Sequence, residues 1–156
     1  MTNFLRTVEF LCLSLWLGSD VFLSFVVAPG AFRVLTSRDQ AGAVVGYSLG
    51  WMHMIGVICG VVFLVVRFLR TRTTSTLVAP ATLCVILMIL FTVVSQRAVS
   101  PRMAQLRVQM GSIEKTNDDD ARLAEFQKLH RRSVLLESGV LLAGMAAMAW
   151  LVREGG

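Results

Sequence analysis

The sequence predicts an all-α integral membrane four-helix bundle in which helices 3 and 4 extend beyond the bilayer as a helical hairpin. Three observations predict it. Hydrophobic side chains make up 55% of the 156 residues and the mean hydropathy is +0.68, more apolar than a soluble domain of this size. The charged residues are only 16% of the chain and are bunched. They leave four apolar runs able to cross a hydrocarbon core of about 30 Å, which needs roughly 20 helical residues. Finally, the charged stretch before the last run keeps apolar residues at helical spacing. The length fits a single membrane domain over residues 1–156.

The first span is expected at about 8–28, interrupted by Glu9 and Asp20 and closed at Pro29-Gly30. Its apolar stretch is long, carries acids, lacks a small-x-small cleavage signal and is followed by further spans, so it reads as a retained helix and not as a cleaved leader. The second span, 41–66, contains no formal charge and stops at Arg67, Arg70 and Arg72, as interfacial cations stop a span. The third, 76–96, begins near Pro80, whose missing N–H falls among the unpaired donors of a first turn. The fourth, 133–152, has Glu137 near its start and Trp150 near the far interface.

Within 97–132, Met103, Leu106, Met110 and Ile113 form one apolar stripe and Leu123, Phe126 and Leu129 another. Gly111 and Asn117 supply the turn, and Asp118, Asp119 and Asp120 the acidic N-cap of the helix entering span 4. An antiparallel pair would bury the two stripes together, with Phe126 the aromatic anchor, and helices 3 and 4 would then be the longest. His130, at the boundary, is expected to bond near Arg97 or to a carbonyl. Most of the 15 basic residues lie on the hairpin side, which favours a cytoplasmic hairpin in a bacterial inner membrane.

Gly42, Gly46, Gly50, Gly56 and Gly60 recur on span 2 and predict close helix packing there. Stepping 100° per residue places His53 along that seam. On span 1, Glu9, Leu13, Trp16, Asp20 and Ser24 share a face, and Arg6 three residues before Glu9 can pair with it. Counted inward from the hairpin side, Asp20 lies about 12 Å deep, His53 about 15 Å and Glu137 about 6–9 Å. With Arg97 at the rim, whose long stem can reach inward, Asp20, His53, Arg97 and Glu137 form the candidate binding cluster. Ionisable groups at membrane depth are costly and mark functional sites.

Other chemistries find less support. Cys12, Cys59 and Cys84 sit singly in apolar runs, without the spacing of a zinc or disulfide framework. Met52 and Met54 point about 100° to either side of His53, so the three cannot converge on one soft metal ion. His53 and His130 differ by roughly 15 Å in depth, which disfavours a bis-histidine haem. No nucleophile triad, phosphate loop or HExxH occurs. The net charge of +5 sits beside apolar runs, where it sets topology against anionic lipid and does not point to nucleic acid.

Trp16-Leu17-Gly18, Phe32-Arg33, His53, Arg97 with Pro101-Arg102, and His130 with Ser133 together form a pattern. On these residues the chain resembles the membrane family of unknown function typified by human transmembrane protein 205. The resemblance implies four spans and an extended loop between the third and fourth, and it brings no established reaction. Asp20 and Glu137 depart from that family's pattern.

The expected function is therefore that of a non-enzymatic membrane protein with no catalytic residues, cofactor or metal. Its polar half-cavity would bind or pass a small solute or ion. A haem- or quinone-dependent membrane oxidoreductase and a membrane-anchored interaction module are the alternatives. The expected partners are the lipid bilayer, a small solute or ion and further copies of the chain in a homo-oligomer.

Overall fold

A computed structural model describes residues 2–154, and these are helical with no strand among them. Four long rods cross the molecule, at Asn3–Val34, Arg38–Thr71, Pro80–Met110 and Ala121–Arg153, each long and apolar enough to span a membrane. The chain is an integral membrane four-helix bundle.

The first rod is α1 (Thr2–Phe22), a π-helical turn at Leu23–Val27 and α2 (Ala28–Val34). It does not close at Pro29-Gly30 but runs through them, because the wide turn absorbs the proline. A proline ring collides with the carbonyl four residues earlier in an α-helix. Here the backbone has already opened, with the Ala28 N–H donating to the Leu23 carbonyl. The third rod repeats the device, as α4 (Pro80–Val94) passes through a π-helical turn at Ser95–Val99 into α5 (Ser100–Met110), with Pro101 just beyond.

The second rod, α3 (Arg38–Thr71), starts on Ser37, whose hydroxyl accepts the Asp39 N–H at 3.2 Å. The fourth, α6 (Ala121–Arg153), starts on Asp120, which accepts the Arg122 N–H at 2.8 Å. α3 has 34 residues and α6 has 33, so the expectation that helices 3 and 4 are the longest does not hold. The helix from span 3 ends at Met110, where Gly111 takes a φ of 72° that only glycine adopts without strain.

The rods pair as α1 with α3 and α4 with α6. Between them lies a core of Leu13, Trp16, Cys59, Phe63, Val85, Met88, Val140, Ala143, Ala147 and Leu151. Beyond it, Val99, Leu106 and Leu129 make a second cluster joining α5 to α6, with Met103, Met110 and Phe126 packed against it. Arg102 clamps the hairpin by donating to both Glu125 oxygens at 2.7 and 2.9 Å. Leu106 is the buried anchor, not Phe126, which is half-buried beneath the Arg107 guanidinium. The hairpin tip docks on α3, where Asp39 accepts from the Ser112 hydroxyl at 2.6 Å and the Ile113 N–H at 2.9 Å.

Small residues set how closely the rods approach. A Cβ on Gly56 would lie 2.3 Å from the Trp16 indole nitrogen, and one on Gly60 would lie 2.7 Å from the same ring. Gly42 receives the Arg107 guanidinium. Gly46 and Gly50 have nothing within 4 Å and contribute no close approach, because the seam of α3 runs through Gly56 and Gly60. The matching contacts lie on α6, where Gly139 receives Phe91 and Gly144 receives Leu17 and Met88.

Candidate functional site

Helical periodicity on α1 buries Glu9, Leu13, Trp16 and Asp20 in succession. Asp20 is the last of these before the π-helical turn. The widened backbone then carries Leu23 inward and leaves Ser24 exposed, though the Ser24 hydroxyl still donates to Asp20 at 3.4 Å. On α3, His53 is buried one turn from Gly56, so the space that keeps Trp16 close also brings the imidazole to the bundle axis. On α6, Glu137 points inward and its Oε1 contacts His53 Nε2 directly.

Asp20 lies within electrostatic reach of both Glu137 and His53. Three of the four residues of the sequence-derived cluster are thus brought together, each from a different rod. Arg97 is not with them. It falls between the buried positions Ser95 and Val99 on the π-helical turn, is exposed, and forms no ion pair among the described residues. The rim contact is made instead by Gln96, whose amide donates to the Gly50 carbonyl at 3.5 Å. His130 is exposed and makes no hydrogen bond that would fix the entry of span 4.

α4 and its π-helical turn add two hydroxyls that the sequence reading missed. Thr92 and Ser95 are fully buried. Gln96 on Gly50 and Phe91 on Gly139 put this part of the third rod level with His53 and Glu137. Six buried polar atoms here have no hydrogen-bond partner, namely Trp16 Nε1, Asp20 Oδ2, His53 Nδ1, Thr92 Oγ1, Ser95 Oγ and Glu137 Oε2. An unpaired polar atom in a medium of low polarity costs on the order of 1–3 kcal/mol. Spread over about two helical turns from Gly50 to Gly56, the six form an environment suited to a hydrogen-bonding or charged guest. Both the imidazole and the carboxylates offer lone pairs, and no lysine or arginine lies among them to neutralise them.

This cluster is a packed seam and not an open half-cavity. Two surface recesses lie elsewhere, one on the hairpin helix along Ala104, Gln105 and Val108 and one at the tip between Arg38, Glu114 and Gln127. Among the described residues no three His, Cys, Asp or Glu side chains are grouped to hold a metal ion.

The opposite end carries a second buried polar system. Arg67, nearly fully buried, donates to Thr82 at 2.8 Å, to Glu9 at 3.3 Å and to both oxygens of Glu154 at 2.8 and 2.6 Å. Arg70 donates to both Glu9 oxygens at 2.7 and 3.2 Å. Glu9 thus has partners on α3, 58 and 61 residues along the chain, which the sequence expectation of a local pair with Arg6 did not include. Two arginines here face two glutamates, and the network ties α1, α3, α4 and the end of α6 together. The spacing of Arg67 and Arg70 after an uncharged run was visible in the sequence; that they turn inward was not.

A family model described as a domain of unknown function (DUF4149) matches residues 11–112. No curated protein and no solved structure matches the chain. The matched stretch holds Trp16, Asp20, His53, Thr92 and Ser95 and ends before Glu137. By this match over most of its length the chain, with its four rods able to cross a membrane, belongs to the DUF4149 family.

Proposed function

We propose that the polar seam binds a small cation or hydrogen-bonding solute within the hairpin half of the membrane and passes it between the rods. The observation that carries this reading is the convergence of Asp20, His53 and Glu137 from three rods, with polar atoms unpartnered and, among the described residues, no lysine or arginine paired with them. Two buried carboxylates without a countercharge are strongly destabilising, by several kcal/mol each. A guest that neutralises them recovers part of that cost. The positive-charge bias supports a hairpin, and so a nearer mouth, on the cytoplasmic side of a bacterial inner membrane. The link to the family typified by human transmembrane protein 205 rests on the motifs around Trp16, His53 and Pro101 and belongs to the same proposal.

Uptake of labelled rubidium, methylammonium and glycerol into vesicles carrying the purified protein tests the reading. Flux of at least one above protein-free vesicles is expected. It should fall by about tenfold or more in His53→Ala and Asp20→Asn, a change of about 1.4 kcal/mol in the barrier, and stay unchanged in Arg97→Ala. Absence of flux for all three, or equal flux in His53→Ala, would reject it.

A further inference from the structure

We infer that the seam is a proton-binding site, with His53 and Glu137 sharing one proton and Asp20 as the second acceptor, and that it is loaded from the hairpin side. The inference rests on the reading above and names the ion.

His53 Nε2 and Glu137 Oε1 are in direct contact. A hydrogen bond between these two atoms has its proton between them, carried by one atom or the other. The remaining titratable atoms, His53 Nδ1, Glu137 Oε2 and Asp20 Oδ2, are buried and unpartnered, so each can take a further proton without breaking an existing bond. The groups facing the seam are Trp16, Asp20 and Ser24 from α1, His53 from α3, Thr92 and Ser95 from the third rod and Glu137 from α6. Only three of these titrate, and two are acids. With the imidazole neutral and both acids ionised the seam carries two negative charges. A proton is the smallest guest that offsets one of them.

Size points the same way. Asp20 and His53 are each 1% exposed, which suits an ion that needs no void of its own. Access is one-sided. Glu137 retains 14% exposure, and Ser24 and Gln96 lead toward the hairpin end. In the other direction Leu13, Phe63, Val85, Met88 and Val140 form an apolar layer backed by the Arg67 network.

The step balances without any further reactant. A proton arriving at Nδ1 makes the ring an imidazolium. The shared proton then passes wholly to Glu137, leaving His53 neutral in the other tautomer. The seam has gained one proton and lost one negative charge.

Infrared spectroscopy of the full-length protein in lipid, titrated from acid to alkaline pH, is the test. The wild type should show a carboxylic acid carbonyl stretch that shifts on deuteration and titrates. That band should be lost or displaced in Glu137→Gln and Asp20→Asn and altered in His53→Gln, while Glu125→Gln, on the exposed hairpin, leaves it in place. A wild type without a titrating band, or with one that survives all three seam variants, would overturn the inference whatever the variants' stability. A titrating band without cation or solute flux would keep the proton site and remove the transport reading. Flux without the band would do the reverse.

Discussion

Gly56 and Trp16 are in contact across the first two rods, and the indole nitrogen occupies the space a side chain at residue 56 would need. The glycine is required by its partner's ring and not by its own backbone. Gly56→Ala is expected to push the indole aside and destabilise the bundle by about 1–3 kcal/mol, whereas Gly46→Ala, with open space around it, should change little. Thermal unfolding of the two variants in the same detergent distinguishes them.

Arg67 carries the far-side network. Removing it strips the bidentate partner of Glu154 and a cation from the fully buried Glu9. Arg67→Ala should cost about 3–5 kcal/mol, as breaking a buried pair does. Glu154→Ala leaves Arg67 held by Thr82 and Glu9 and should cost about 1 kcal/mol or less. Comparing the unfolding midpoints in denaturant provides the check.

In the hairpin, Leu106 is 1% exposed while Phe126 is half-buried. Leu106→Ala should therefore cost about 2–5 kcal/mol and exceed Phe126→Ala despite the larger ring. Amide exchange across residues 100–130 would report it, with protection in α5 falling more in the first variant.

The hairpin should also loosen in acid. The guanidinium of Arg122 holds the Asp120 carboxyl below its usual range, and that of Arg102 does the same for Glu125. Both folded-state values lie below the unfolded ones of about 4. Their contribution is thus complete above that pH and is lost as pH falls through the depressed values. Exchange in the first turns of α6 should accelerate in that acid range before exchange near Val140 does. Simultaneous acceleration at both places would contradict this.

Four crossings put the hairpin tip and the turn between the second and third rods on opposite faces of the membrane. Single cysteines at the exposed positions Lys115 and Ser75, in a background lacking Cys12, Cys59 and Cys84, should label from opposite sides with an impermeant reagent.

Spans and the hairpin were legible because apolar runs and their charged borders are local properties. Asp20, His53 and Glu137 were legible too, since a charge inside such a run stands out and helical geometry says which face it takes. Arg97 was misplaced for a reason that local reasoning cannot see, as it falls on a π-helical turn whose phase differs from that of an ordinary helix. Thr92 and Ser95 escaped notice because a hydroxyl in a span can bond its own backbone as readily as a neighbour. Gly139 and Gly144 escaped because only two of them mark α6 and their spacing of five breaks the small-xxx-small pattern. The partnership of Glu9 with Arg67 and Arg70 joins residues far apart in the chain, and charge spacing along one helix carries no trace of it.

The wide turns before Pro29 and Pro101 also bear on how this chain can change. Each holds about one residue more than an α-helical turn of the same span. Deleting a single residue from Leu23–Val27 would close the turn to an ordinary α-helical one and leave the flanking segments near their present phase. It would also bring the Pro29 ring against the carbonyl four residues earlier. The same deletion elsewhere in a rod would rotate one half by about 100° relative to the other. Relatives one residue shorter at either wide turn should therefore lack the proline that follows it.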